Sequence, residues 1–260
     1  MRQYIVDAFA DRVFLGNPAA VCLPDRPLED STLLAIAAEN GQSHTAFLFP
    51  EEDGWHLRWF TPKGEIDLCG HAALAAAYVI SRFLSPGSEE IRFHTLSGLL
   101  TVRREGELLE MELPAYSLKR LEVTDEIADA LGARPAEVWR ARDLLCVFKD
   151  AQTVRELKPD MDKLKKLKGA LMQVTAPGDG EFDCVSRSFA PKMGLPEDPV
   201  CGSGHCHIIP YWAARTGKDR FTACQASPRG GVLYCRTEGD RTFLAGHCAL
   251  YAQSELTLEV

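Results

Sequence analysis

One segment of this chain is written twice. Arg58-Trp59-Phe60-Thr61-Pro62-Lys63 returns as Arg187-Ser188-Phe189-Ala190-Pro191-Lys192, and each R-x-F-x-P-K run is followed by a Cys-Gly pair, Cys69-Gly70 and Cys201-Gly202. The arginines stand 129 residues apart and the cysteines 132, about half of the 260-residue chain. A third match keeps the register, since Gly98-Leu99-Leu100 followed by Glu105-Gly106 returns as Gly231-Val232-Leu233 followed by Glu238-Gly239. A period this long, used only twice, predicts two related domains and not a solenoid. Each half then carries a thiol to the start of a helix, and a cleft between the halves would turn two similar helix starts toward one ligand.

The length accommodates two medium domains. The linker-like stretch Pro114 to Arg120 places the division at 1–116 and 117–260, with the option that the final strand returns to the first half. With 46% hydrophobic residues the chain buries substantial cores. A formal charge of -8 argues against a nucleic-acid partner. The basic run Lys163-Leu164-Lys165-Lys166-Leu167-Lys168 has leucines interleaved and reads as a helix with a solvated face. No apolar run reaches membrane-spanning length and the N-terminus lacks a signal-peptide pattern, so neither a membrane partner nor export is expected. Nine cysteines without C-x-x-C pairing suit a reducing, cytoplasmic setting.

Strands are predicted at 3–9, 19–23, 45–49, 55–60, 90–95, 98–104 and 107–113, with a helix over 30–41. Gly70 through Phe83, alanine-rich and almost wholly apolar, reads as a helix buried all round. The second half continues with a helix over 124–131, a strand at 144–148, a basic helix over 160–168 closed by Gly169, and a strand at 170–175. A second buried helix covers 202–215, and strands follow at 220–225, 231–236, 241–250 and 254–259. The class is α+β, with a curved sheet wrapped around one central apolar helix, twice.

The two helix starts are where chemistry is expected. Unpaired N–H groups and the helix dipole attract anions there, and glycine admits a ligand close to the backbone. The same field favours thiolates, so Cys69 and Cys201 are candidate acid/base groups. Gly70, Gly202 and Ser203 belong to the same helix starts and are candidate substrate-binding positions. Two such groups facing one substrate suit removal of a proton from carbon at one place and its return at another, with the developing negative charge held by the helix ends. No G-x-G-x-x-G or P-loop is present and no cofactor is expected. Cys201 and His205 share a helix face, but no second pair has metal-ligand spacing, and no metal is expected.

Several stretches carry a family resemblance: Gly16-Asn17-Pro18-Ala19, Ser43-His44-Thr45-Ala46-Phe47, Cys69-Gly70-His71-Ala72, Glu197-Asp198-Pro199-Val200-Cys201-Gly202-Ser203 and Arg229-Gly230-Gly231. In order and spacing they resemble the phenazine-biosynthesis PhzF-like family over essentially the whole chain. The resemblance implies the diaminopimelate epimerase fold, two pseudo-symmetric domains with the active site between them, and a homodimer. It also implies an isomerase that moves a proton with an acidic residue in an S-E-T-A-F motif, the histidine of G-H and the aspartate of E-D-P. The last two roles fall on His71 and Asp198. The first falls on His44, where this chain has replaced glutamate by histidine, and Cys201 stands where the family motif usually has threonine. Asn17 and Ser43 are candidate contacts to a substrate carboxylate.

The residues thus point to a cofactor-independent isomerase of a small carboxylate-bearing metabolite. One route uses His44 with His71 and Asp198. Another uses Cys69 and Cys201 as the thiol pair of a racemase or epimerase. A member that only binds a metabolite or protein is the third reading.

Overall fold

The structure, a computed structural model, describes residues 1–258 and is mixed α+β, with about 24% helix and an extensive β-sheet. The chain forms two compact units, Met1–Glu112 together with Ala245–Val260, and Leu113–Leu244. Within the stretch Pro114–Arg120, Lys119 and Arg120 pair with Arg140 and Trp139. Among the described residues no helix is long and apolar enough to cross a membrane.

The first unit contains β1 (Arg2–Ala8), β2 (Asn17–Leu23), α1 (Asp30–Asn40), β3 (Thr45–Glu51), β4 (Gly54–Thr61), β5 (Gly64–Ile66), α2 (Gly70–Val79), β6 (Glu90–Thr95), β7 (Gly98–Glu105) and β8 (Leu108–Pro114). β1 pairs antiparallel with β2, β2 runs parallel to β3, and β3 turns into antiparallel β4. β4 then meets β5 and parallel β6, and β6, β7 and β8 form a meander. This sheet wraps α2, which packs against β1, β2, β3 and β7. Every α2 residue from His71 to Ala77 is buried. Alanine dominates because its small side chain lets strands approach the helix from all sides, and a buried helix needs no polar face. The helix continues past Val79 as a wide π-type turn over Ile80–Leu84, where the sequence predicts unbroken α-helix.

The second unit contains β9 (Lys119–Leu121), α3 (Asp125–Leu131), β10 (Glu137–Arg140), β11 (Leu144–Val147), α4 (Ala151–Glu156), α5 (Met161–Lys166), β12 (Met172–Pro177), β13 (Cys184–Phe189), β14 (Glu197–Asp198), α6 (Gly202–Thr216), β15 (Arg220–Gln225), β16 (Gly231–Glu238) and the start of β17 (Arg241–Gly246). Its sheet runs β9-β10-β11-β12-β13-β15-β16, parallel at β11–β12 and β13–β15. α3, α4 and α5 bury Ile127, Leu131, Val154 and Leu164 in one cluster with Val174 and Phe189. α5 is capped by Asp160, whose carboxylate accepts from two backbone N–H groups, but stops at Lys166 and not at Gly169. Leu167 leaves the helix in extended conformation and buries its side chain in that cluster.

α6 lies against β12 and β16 and carries Pro210 in its interior. Proline has no N–H to give the carbonyl four residues back. That carbonyl, of Cys206, is taken instead by the Tyr116 N–H at 3.0 Å. His205, fully buried on the same helix, has Nδ1 2.8 Å from the Cys201 carbonyl, to which it donates, and Nε2 3.4 Å from the Ser186 hydroxyl. Both nitrogens are therefore used within the unit, and burial pushes the imidazole down to about 4.

The C-terminal strand β18 (Cys248–Glu255) belongs to the first unit and pairs antiparallel with β1, from Arg2 opposite Glu255 to Ala8 opposite Cys248. The predicted 241–250 strand is interrupted at His247, and the predicted 254–259 strand is displaced to 248–255, residue 259 lying outside the described residues. Gly246 precedes the break because a Cβ there would lie 2.5 Å from the Phe9 ring.

The repeated arginine does the same work in each unit. Arg58 on β4 holds Glu65 with two bonds of 2.7 Å and stacks over Phe60 at 5.1 Å. Arg187 on β13 holds Glu197 with bonds of 2.8 and 2.9 Å and stacks over Phe189 at 4.8 Å. Each also ties its strand to a helix end, Arg58 through Asp30 on α1 and Arg187 through the carbonyls of Val154, Arg155 and Leu157 around α4. The spacing R-x-F places arginine and phenylalanine on one face of a strand, and the fork geometry requires arginine and not lysine. The Gly106 and Gly239 turns of the third repeat segment share a positive φ, 64° and 58°.

The Arg187–Glu197 pair is mostly buried, whereas Arg134–Asp125 is exposed. Arg187→Met is expected to cost about 3 kcal/mol in urea unfolding because it strands Glu197, against under about 1 kcal/mol for Arg134→Met; equal losses would contradict the anchoring role. The buried histidine gives a second expectation. With its folded pKa near 4, below the ordinary 6.5, the unfolded chain takes up the proton first. Stability is then lost as pH falls from 6.5 to 4, by roughly 1.4 kcal/mol per unit for one such group. Thermal midpoints of His205→Gln should fall less steeply than wild type across this window.

Candidate active site

In the first unit α2 begins at Cys69, which is extended (φ -143°, ψ 101°) and accepts the Ala73 N–H at its carbonyl at 2.9 Å. The next turn brings His71 inward, fully surrounded. Asn17, the first residue of β2, is buried beside it, and its Nδ2 donates to His71 Nδ1 at 3.1 Å. An amide nitrogen only donates, so Nδ1 accepts and the ring proton sits on Nε2. The Cys69 Sγ lies 3.5 Å from Nδ1 and 3.8 Å from Nε2 of the same ring.

His44 arrives on the segment entering β3, whose backbone is set by the Ala20 N–H donating to the His44 carbonyl at 3.2 Å. Its ring stands edge-to-face on His71, 4.9 Å between centroids and 77° between planes. Its Nδ1 is 3.1 Å from the Ser43 hydroxyl. Burial pushes His44 down to about 4. Burial, reinforced by the charge that His44 would carry, holds His71 well below the ordinary histidine range. Both imidazoles are neutral near pH 7. The first unit thus gathers Asn17, Ser43, His44, Cys69, Gly70 and His71 from three sequence regions.

In the second unit α6 begins at Cys201, likewise extended (φ -100°, ψ 101°). The Gln225 side chain fastens the approach: its Oε1 accepts the Cys201 N–H at 2.9 Å and its Nε2 donates to the Asp198 carbonyl at 2.7 Å. The Ser227 hydroxyl donates to the Pro199 carbonyl at 2.8 Å. Asp198, half-buried on β14, is thereby held on a rigid turn leading to Cys201, Gly202 and Ser203. Burial first, then the Asp198 charge, pushes the Cys201 thiol far up, and the Ser203 hydroxyl, 3.5 Å from Sγ, only partly opposes this. The Cys201 thiol is protonated at neutral pH, against the expectation of a helix-start thiolate. Desolvation outweighs the helix field here.

A polar network beside α6 has no motif in the sequence. Asp143 is fully buried, forked by Arg142 at 2.9 and 2.8 Å, and accepts from Gln173 Nε2 at 3.0 Å. Burial alone would raise its pKa; the Arg142 guanidinium outweighs it and holds the carboxyl below the usual range. Arg142 also donates to the Ser203 hydroxyl at 2.8 Å. His207 accepts the Asp143 N–H at 3.2 Å and stacks on Tyr116 at 4.1 Å. Gln173 lies over Gly204, where a Cβ would meet its side chain at 2.4 Å, and donates weakly to Cys201 Sγ at 4.0 Å. Nothing local in the sequence marks the adjacent charges Arg142-Asp143 as interior.

The comparisons extend this picture. The profile of the family described as phenazine biosynthesis-like protein matches residues 6–254. A Pseudomonas aeruginosa protein named as an uncharacterized isomerase is 47% identical over 253 residues, covering 97% of each chain. The crystal structure of a PhzF family phenazine biosynthesis protein from Enterococcus faecalis superposes with a TM-score of 0.97 at 43% identity, covering 99% of both chains. A predicted epimerase from Pseudomonas aeruginosa, at 23% identity and a TM-score of 0.74 over 99% of both chains, shares the fold alone. The architecture is the diaminopimelate epimerase-like fold. With a match over nearly its whole length, the chain belongs to the phenazine biosynthesis-like (PhzF) family.

Proposed function

We propose that the protein is a cofactor-independent isomerase that moves a proton on a small carboxylate-bearing metabolite, with His44 as the group that takes the proton from carbon. The observation that carries this is the placement of His44 edge-to-face on His71, 4.9 Å between ring centroids, beside Cys69 at the start of α2. Glutamate, the residue of the family motif, ordinarily titrates near 4.3. A free imidazole titrates two units higher, but burial brings His44 to about 4. The substitution therefore puts a neutral base where the family motif carries an anionic one. His44 is unprotonated at neutral pH, and once protonated it is acidic enough to return the proton. His71, with its Nδ1 occupied by Asn17, presents Nε2–H as a donor to charge developing on the substrate. The N–H groups that open α2 and α6, at Gly70 and at Gly202 and Ser203, are suited to carboxylate or enolate oxygens. Asp198 takes its role as a second proton-handling group from the family motif.

The relatives' names support the reaction class, since proteins more than 40% identical over nearly the full chain are named isomerases.

Incubation in D₂O with a panel of small unsaturated and amino carboxylic acids should show deuterium entering carbon positions by NMR. Absence of exchange across the panel would count for a binding protein. His44→Gln should slow exchange by about 10²–10⁴-fold, whereas Cys201→Ala should leave it within a few-fold of wild type; the reverse ranking would install the thiol pair. The sign of the pH dependence also follows. A base with pKa near 4 is available above that pH, so the exchange rate should stay flat from neutral pH down to about 5 and fall with an acid limb near 4. An acid limb near 6.5 would show that His44 is not the base, or not buried as described.

A further inference from the structure

Cys69, His44 and His71 place one thiol and two imidazoles together, the ligand atoms all within 4.8 Å of one another. We propose that these three residues form a binding site for a thiophilic divalent cation of the zinc class, and that occupation of the site switches off proton transfer. Zinc takes sulfur at about 2.3 Å and imidazole nitrogen at about 2.0 Å in tetrahedral geometry, which separates S from N by about 3.6 Å. Cys69 Sγ lies 3.8 Å from His71 Nε2. A contraction of roughly 1 Å between the remaining ligand atoms, within reach of side-chain torsions, brings all three onto one ion. A three-residue set leaves the fourth position to water or a substrate oxygen.

The surroundings fit ligation as well as the ligands do. A metal-bound imidazole is normally oriented by a partner at its other nitrogen. His44 Nδ1 is engaged by the Ser43 hydroxyl and His71 Nδ1 by the Asn17 side chain, so each ring is oriented at Nδ1 and keeps Nε2 for an ion. Rotating the Asn17 amide by half a turn exchanges its donor for its carbonyl, which accepts from Nδ1–H and frees the Nε2 lone pair for the metal. On binding, the Cys69 S–H bond breaks as the S–metal bond forms, and the proton passes to solvent. The spacing 44, 69, 71 resembles no metal motif, because the fold and not the local sequence assembles the set.

A cation on Nε2 of both rings occupies the lone pair with which His44 would take the proton and removes the Nε2–H that His71 would donate. The regulatory consequence rests on the proton-transfer role proposed above; the metal site does not.

The test is titration of the reduced, metal-free protein with Co²⁺, followed by absorbance, with stoichiometry from equilibrium dialysis and displacement by Zn²⁺. One ion per chain with a thiolate-to-cobalt charge-transfer band is expected. Cys69→Ser should abolish the band. His44→Gln, at a half-buried position where glutamine is accommodated, should weaken binding by more than the roughly 10–100-fold that outer-sphere partners contribute. His94→Gln, which alters the exposed Glu51–Asp53–His94 cluster, should leave binding unchanged. Absence of a one-to-one site, survival of the site in both Cys69→Ser and His44→Gln, or its loss in His94→Gln would overturn the assignment. Deuterium exchange that persists with zinc bound would overturn the regulatory consequence. Exchange missing from the metal-free protein would bear on the proton-transfer reading alone and leave the cobalt result standing.

Discussion

Each unit depends on an arginine that cannot reach water freely and is satisfied instead by a carboxylate fork. Arg58 with Glu65, and Arg187 with Glu197, bind the strand that leads toward a buried helix to the short strand just before it. A guanidinium held bidentate on one side and stacked on phenylalanine on the other has little freedom left. That rigidity passes to the residues that follow, which deliver Cys69 and Cys201 in extended conformation to the mouths of α2 and α6. The chemistry needs side chains held to fractions of an ångström, and the forks are the fixed points from which those positions are set.

Around these fixed points the two helix starts have become chemically unequal. α2 opens onto neutral imidazoles, with His71 held by Asn17 and crossed by His44. α6 opens onto a charged, fully bonded network of Arg142, Asp143, Gln173 and Ser203, with a thiol that burial keeps protonated. The first has lone pairs to give, to a proton or to a cation. The second has donors, suited to holding an anion still. In both, desolvation sets the protonation states: it lowers His44 and His71 and raises Cys201, each toward the neutral form.

How much of this was legible depended on whether the signal was local. The buried helix over Gly70–Val79 is plain from an unbroken apolar, alanine-rich run, and α6 from its twin position in the repeat. β13 was missed although it carries the second R-x-F, because Cys184–Phe189 mixes serine and arginine into its alternation; the repeat itself was the cue, since Arg58 lies in the predicted 55–60 strand. The basic helix was drawn too long because its leucines continue past Lys166, and only packing shows Leu167 turning out of the helix into the core. The charged pair Arg142-Asp143 looks like any surface turn until His207 and Gln173, far along the chain, close over it.

By itself the sequence determined the duplication, the two Cys-Gly helix starts, the α+β class and the family motifs that name His44, His71 and Asp198, because all of these are written in residue order and short-range spacing. Tertiary structure alone decided that Asn17, His44, Cys69 and His71 converge, that Gln225 locks the Asp198–Cys201 turn, and that β18 returns to pair with β1. It also decided the protonation states on which function turns. A histidine's letter carries its ordinary pKa of 6.5; its value near 4 comes from desolvation by segments that no local pattern connects to residue 44.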